Sequence, residues 1–385
     1  MNLIYFDNNA TTSVDPQVVE AMIPFLKDQY GNPSSIHRFG GQVRKYIEQA
    51  REAVAQLLGA FADEIIFTSC GTESDNSAFF SAINSAPENK RLITTQVEHP
   101  AVLNPAQYYE KKGYDVQYIG VDRQGHLNLD DLKKALNERA ALVSVMWANN
   151  ESGMIFPVET IAQWCRERGI LFHSDAVQVA GKMKINAHEG GMDYLSISGH
   201  KLHAPKGVGA LYARRGAPMA PFIIGGHQEH GLRGGTEAVP HIVALGKAAE
   251  LALSHLEAEQ ILVKKLRDHL ESRILNEIPK SYLNGDPLQR LANTTNISFE
   301  GVEGEAILLL LDEKGICASS GSACTTGSLE PSHVLRAMQV PYTIIHGSLR
   351  LSLSYLNTID EVNEVVEQLK EIIHHLRTLS PYWQE

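Results

Sequence analysis

The 385-residue sequence predicts an α/β fold, with a mainly parallel sheet covered by helices on both faces and joined to a second, smaller unit. Three observations carry this. Apolar runs alternate with stretches of helical period from residue 65 to about residue 200, the pattern of strands linked by crossover helices. Several of those runs end in polar residues, which belong at the carboxyl edge of an open sheet, where ligands bind. Finally, the chain is longer than one hydrophobic core commonly organises, and its last third changes character.

In chain order, LIYFDNNATTSV reads as a short strand and a polar turn, after which Asp15-Pro16 opens a helix through Val18, Val19, Met22 and Phe25. The loop Tyr30-Gly31-Asn32-Pro33-Ser34-Ser35 ends that helix. A charged helix from about Gln42 to Leu58 has Val43, Ile47, Ala50, Val54 and Leu57 on one face. Ile65-Ile66-Phe67-Thr68 is a strand that turns at Gly71 into a helix with Thr72 as its expected cap. Strands follow at Arg91–Thr95, Val116–Ile119 and Ala141–Met146, with helices at Ala101–Lys111 and Leu129–Leu136 between them. Gly169–Ala176 and Tyr194–Ser198 are further strands. The turn Arg233-Gly234-Gly235-Thr236-Glu237 then leads to one long helical pattern, from Pro240 to about Ile278. Shorter elements follow, including an alternating strand around Arg350 and a closing amphipathic helix, Asp360 to Leu376. The division falls within the long helix, giving a large domain of 15–254 and a small one of 1–14 with 255–385.

Chemistry gathers at the ends of these strands. Lys201 follows the apolar strand Tyr194–Ser198 and Gly199-His200, so its stem lies among apolar neighbours, and desolvation lowers a lysine's pKa. Such an amine can bond covalently to an aldehyde. Asp175 closes the preceding strand. The Gly71 turn presents free N–H groups and the positive end of a helix dipole to an anion. Together, a lysine, a strand-end aspartate and an anion cradle are what pyridoxal 5'-phosphate requires. Taken singly, each has an ordinary reading: a lysine entering a turn, a structural acid, a helix cap.

Bulk properties narrow the partners. A formal charge of −11 without a basic run argues against nucleic acid or an anionic membrane surface. No run approaches a membrane span and the first residues lack a leader pattern, so a cytoplasmic protein is expected. Four cysteines, Cys70, Cys165, Cys317 and Cys324, are too few and too irregular for a disulfide framework. Cys70 and Cys317 read as inert, whereas Cys324 sits in SSGSACTTGS, too small and polar to enter a core, which reads as a mobile loop bearing one thiol. The sixteen histidines have no metal-ligand spacing, and no metal is expected in the site. Arg350, inside an alternating strand, needs a buried anionic partner, for which a substrate carboxylate is the candidate.

The segments SGHKLHAPKGVGALY, FHSDAVQ, SCGTESDN and SSGSACTTGSLEPSHVLRAM, in that family's order, resemble the NifS group of cysteine desulfurases within the fold-type-I pyridoxal-phosphate-dependent transferases. The resemblance runs from YFDNNATT to LSPYW. It implies a large domain with a mainly parallel seven-stranded sheet, a smaller α+β domain, and a homodimer that takes sulfur from L-cysteine, leaves L-alanine and holds a persulfide on Cys324. Lys201 would carry the cofactor; Gly71, Thr72, Ser198 and His200 would hold its phosphate, with Thr236 reaching the partner's. His99 would stack on the ring and shuttle protons, for which an imidazole titrating near neutrality is suited. Asp175 would pair with the ring nitrogen, with Gln178 and Asn150 near the phenolic oxygen. Arg350, Asn32 and Asn150 would take the substrate carboxylate. An iron-sulfur scaffold protein of NifU type is the implied sulfur acceptor. The family's usual alanine is replaced by Gly234. An aminotransferase would have no use for the loop thiol, a selenocysteine lyase would carry it on a shorter segment, and a silent docking homologue would have no need of Lys201 and Asp175. A housekeeping desulfurase serving iron-sulfur clusters and tRNA thiolation would share the same site.

Overall fold

A computed structural model describes residues 3–137, 139–320, 331–380 and Trp383. In chain order its strands are β1 (Ile4–Tyr5), β2 (Ile65–Thr68), β3 (Arg91–Thr95), β4 (Asp115–Ile119), β5 (Leu142–Ser144), β6 (Phe172–Asp175), β7 (Tyr194–Ser198), β8 (Gly209–Ala213), β9 (Ser281–Leu283), β10 (Thr294–Phe299), β11 (Ile316–Cys317) and β12 (Ser348–Ser352). Among the described residues the main sheet has seven strands in the order β2-β8-β7-β6-β5-β3-β4. Only β8 runs against the rest, paired antiparallel to both β2 and β7. Both faces of this sheet are covered, so β2, β5, β6, β7 and β8 are buried along their whole length, polar residues included.

Two strands that carry the site depend on a glycine. A Cβ at Gly209 would stand 2.7 Å from the Ile197 carbonyl oxygen and 2.9 Å from the Cys70 carbonyl carbon, so only glycine lets β8 lie against the turn that follows β2.

The small unit has its own core, built on the antiparallel order β12-β10-β9 and on the helices Lys264–Glu277, Gly304–Glu313 and Ile359–Leu379. β1, from the start of the chain, pairs in parallel with β11, Ile4 opposite Ile316, and Phe6 is fully buried in that second core.

The pattern from Pro240 to Ile278 is not one helix. Val239–Ala258 is α-helical, Glu259–Val263 is a π-helical turn, and Lys264–Glu277 resumes the α form. The wider turn rotates the apolar stripe. Before it, Ala244, Leu245, Ala248 and Ala249 face the large core; from its last residue onward, Val263, Leu270 and Ile274 face the small one. A helix at Val158–Glu167 covers the sheet with Val158, Ile161, Ala162 and Cys165, and with β8 it adds to the elements read from sequence.

Candidate active site

A cavity of about 320 Å³ opens at the carboxyl ends of β5, β6 and β7. Gly71, Thr72, His99, Asn150, Asp175, Gln178, Ser198, His200, Lys201 and Arg350 line it together. Asn32 and Thr236 do not: both are exposed on separate turns, and the Asn32 side-chain oxygen accepts from the Ser34 N–H at 2.8 Å. Cys324 lies outside the described residues.

β7 is buried along its whole length, and the short turn Gly199–Lys201 delivers the lysine from its end. Lys201 Nζ donates to the carbonyl oxygens of Asn9 and Ala10, at 2.6 and 2.7 Å. Burial, with the nearby charges of Arg350 and Lys182, pushes its pKa down to about 8, against the opposing pull of Asp175 and Asp7. Asp175 stands across the cavity at the end of β6, its Oδ1 accepting from the Val177 N–H at 2.9 Å. Burial and then the neighbouring Asp75 raise it to about 7.

His99 begins the helix Pro100–Lys111, and its Nδ1 accepts from the Ala101 N–H at 3.1 Å, which leaves the ring proton on Nε2. The expectation that it titrates near neutrality is corrected. Burial, helped by Lys201 and His333, pushes it down to about 4, so the ring is neutral at physiological pH. His200 is held at about 4 by burial and by Lys201, with Nδ1 3.1 Å from Thr11 Oγ1. A neutral imidazole still offers one N–H to an anion. Gln178 donates from Nε2 to the Asn9 carbonyl at 3.0 Å, while Lys182 donates to Gln178's own carbonyl at 3.2 Å and to Oε1 at 3.4 Å. A protonated lysine can only donate, so it sets which end of the amide is which.

The helix Gly71–Ser85 starts one residue before its expected cap. Cys70 is the capping position and makes no side-chain cap bond, so Thr72 lies inside the first turn, exposed to the cavity. Glu73 takes the neighbouring backbone donor instead, accepting from the Ser69 N–H at 2.8 Å and pairing with Arg233 at 2.9 and 3.1 Å. The N–H groups of Gly71 and Thr72 are among the first-turn donors that have no acceptor within a helix. A Cβ at Gly71 would come within 2.8 Å of Val177 Cγ2, closing the approach to them. Cys70, expected to be inert, is half-buried and lines the cavity.

Arg350 is corrected too. Its Nη2 pairs with Asp7 Oδ1 at 2.7 Å and its Nη1 donates to the Asn150 carbonyl at 3.0 Å, so the chain itself supplies a counter-charge. Nε is buried and has no partner among the described residues, a donor available to a ligand carboxylate. Asp7, Asn9 and Ala10 had been read only as a polar turn, and nothing local marks them as site residues.

These groups fit pyridoxal phosphate. The helix start offers N–H donors where a Cβ would intrude, Asp175 offers a buried acid to a protonated ring nitrogen, and Lys201 offers an amine of lowered basicity.

Known proteins resemble the chain over nearly its whole length. The family described as aminotransferase class-V matches residues 4–365. A cysteine desulfurase of Trichormus azollae is 57% identical over 382 residues, covering 99% of this chain and 96% of that protein. The cysteine desulfurase NifS of Azotobacter vinelandii is 54% identical over 381 residues, covering 99% and 95%. A solved structure of a NifS-like protein superposes with a TM-score of 0.91 at 39% identity, over 97% of this chain and all of that one. A NifS-like protein from Rickettsia africae gives 0.87 at 34%, with the same coverage.

Proposed function

The chain belongs to the class-V aminotransferase family, as a pyridoxal-phosphate-dependent cysteine desulfurase, and from that premise we propose how its residues divide the work and where the sulfur goes. The observation that carries the assignment is Lys201, buried at the end of β7 with its amine basicity lowered, facing Asp175 in one cavity. When bound, the cofactor supplies an electron sink for the bonds around the substrate's Cα. Lys201 would hold it, and its amine of lowered basicity would serve as the base for the Cα proton. Asp175 keeps the ring nitrogen protonated, and Gln178 donates to the phenolic oxygen. Gly71, Thr72, Ser198 and His200 hold the phosphate. His99, lining the same cavity, would meet the ring with Nε2–H as the donor it can offer. Arg350, with Nε free and its plane set by Asp7 and Asn150, takes the substrate carboxylate together with Asn150 and Asn32.

The substrate is L-cysteine, and Cys324 takes its sulfur as a persulfide, leaving L-alanine. We assign 15–254 to a large domain and 1–14 with 255–385 to a small one; the second core, drawn from Ile4, Phe6 and residues 263–373, supports that division, while Leu291, Val334, Leu335 and Ile345 pack on the large core. A homodimer is supported by exposed Tyr30, Ile36 and Phe39 near Asn32, and by exposed Phe222, Ile223 and Ile224 preceding Thr236. Such a dimer would bring Thr236 to its partner's phosphate. The acceptor we propose is a NifU-like iron-sulfur scaffold serving nitrogenase maturation, in the cytoplasm, where thiols stay reduced.

The test is Cys324→Ala given L-cysteine. Alanine and sulfide should fall to near background while the cofactor's spectrum still responds to substrate. In the wild type, labelled sulfur should appear on Cys324. Normal alanine release by the variant, or label on Cys70, Cys165 or Cys317, would overturn the mechanism. Sulfur moving to a tRNA-thiolating protein in preference to a cluster scaffold would overturn the proposed destination alone.

A further inference from the structure

Beneath the cavity runs a row of polar side chains that the mechanism above does not use. Ser144, His173 and Ser196 stand on β5, β6 and β7, with the His173 ring between the two hydroxyls, Nδ1 2.8 Å from Ser144 Oγ and Nε2 3.0 Å from Ser196 Oγ. Side chains alternate along a strand, so His173 and Asp175 share a face. The helix Gly71–Ser85 packs over that face and sets Asp75 onto the row. Asp75 is 1% exposed yet belongs to the cavity lining, and neither of its oxygens meets a hydrogen-bond donor in good geometry. His173 Nε2 lies 3.4 Å from Oδ1, and Ser196, which eases the carboxyl's burial, is already engaged with that ring. Buried polar atoms are rarely left without partners, and an acid so placed at a ligand cavity awaits a positive group from the ligand.

We propose that Asp75 is a positioning residue for the cofactor: the second carboxyl of a two-carboxyl floor that, with Asp175, keeps the proton on the ring nitrogen, while His173 stays neutral between them. This rests on the reading of Asp175 given above. Burial raises Asp75 to about 7, and Asp75 is the largest contributor after burial to the same rise in Asp175. His173, pushed down to about 4 by burial, adds no positive charge at physiological pH. The other ionisable groups around the floor are Glu98, held well above the usual carboxylate range by burial, and Lys201, whose charge favours ionised Asp175. Two carboxylates confined together repel each other until a cation joins them. The protonated ring is that cation, and each carboxylate makes it harder to deprotonate.

Asp75→Asn keeps the shape and removes the charge. The holoenzyme is prepared with pyridoxal phosphate labelled with ¹⁵N in the ring, and the nitrogen's chemical shift is followed from acid to alkaline pH. The wild-type nitrogen should stay protonated to a higher pH than the variant's, by about one unit or more, and the variant should bind the cofactor roughly tenfold more weakly. Asp75→Ser provides the same test should the asparagine variant fail to fold. Asp175→Asn is the control. If it leaves the shift unmoved, the role given to Asp175 fails and this proposal fails with it. If it abolishes protonation while both Asp75 variants titrate like the wild type, only the role of Asp75 is overturned.

Discussion

An amine that must bond to an aldehyde near neutral pH has to shed its proton well below the ordinary lysine range. Lys201 does so because it is buried beside Arg350 and Lys182, and the sign follows from the cause: a desolvated cation gives up its proton more readily, so the free amine prevails above about 8. Acetylation of the cofactor-free protein, read by mass spectrometry across pH, should therefore show Lys201 modified with a midpoint near 8, while exposed lysines follow their ordinary value about two units higher. A midpoint at the ordinary value would show that burial is not setting its basicity. Arg350→Lys should raise the KM for L-cysteine at least about tenfold and leave the cofactor's absorption in place, since a lysine cannot reproduce a planar fork of donors. An unchanged KM would remove Arg350 from carboxylate recognition. Lys201, Asp175 and Gly71 were legible because each closes an apolar run, so sequence neighbours alone betray its position. Asp7, Asn9 and Asp75 were not. Their meaning lies in contacts made far along the chain, as when Asn9's carbonyl meets Lys201, 192 residues away.

At the scale of elements, β8 is the wedge that joins β2 to β7 and thereby the phosphate turn to the lysine strand. Gly209→Ala would drive a Cβ into the backbone on both sides, at Ile197 and at Cys70. The substitution should destabilise the fold by about 1–3 kcal/mol, measured by denaturant unfolding, and weaken cofactor binding in the same variant. Full retention of both would mean that the close approach is not required. Strand β8 escaped the sequence reading because its short apolar run follows a glycine-rich turn and resembles a loop. The helix Val158–Glu167 had a clear signal, with Val158, Ile161, Ala162 and Cys165 at helical spacing. The π-helical turn had none: Glu259–Val263 continues a good helical pattern, and only the need to face two cores in succession reveals it.

For the whole molecule, the proposed dimer makes each site depend on two chains. Mixing Lys201→Ala protein with Thr236→Ala protein, with subunit exchange confirmed, should restore activity to about a quarter of the wild-type value, since half the dimers become hybrids with one fully native site. No recovery would argue that each chain completes its own site. The two cores and the main sheet were legible as a change of pattern along the sequence. The pairing of β1 with β11 was not, because two-residue strands leave no periodicity to read.

That pairing bears on the order in which the protein is made. Ile4 leaves the ribosome well before Ile316 and must wait for it before it has a strand to join, a delay of roughly a quarter of a minute to a minute at about 5–20 residues per second. The large sheet can condense meanwhile, yet Asn9 and Ala10, whose carbonyls hold Lys201, sit just beyond the waiting strand. Lys201 is made 115 residues before Ile316, so its own wait at that rate is shorter, roughly 6–23 s. A nascent chain is in this way kept from acquiring a finished site before β11 has been synthesised.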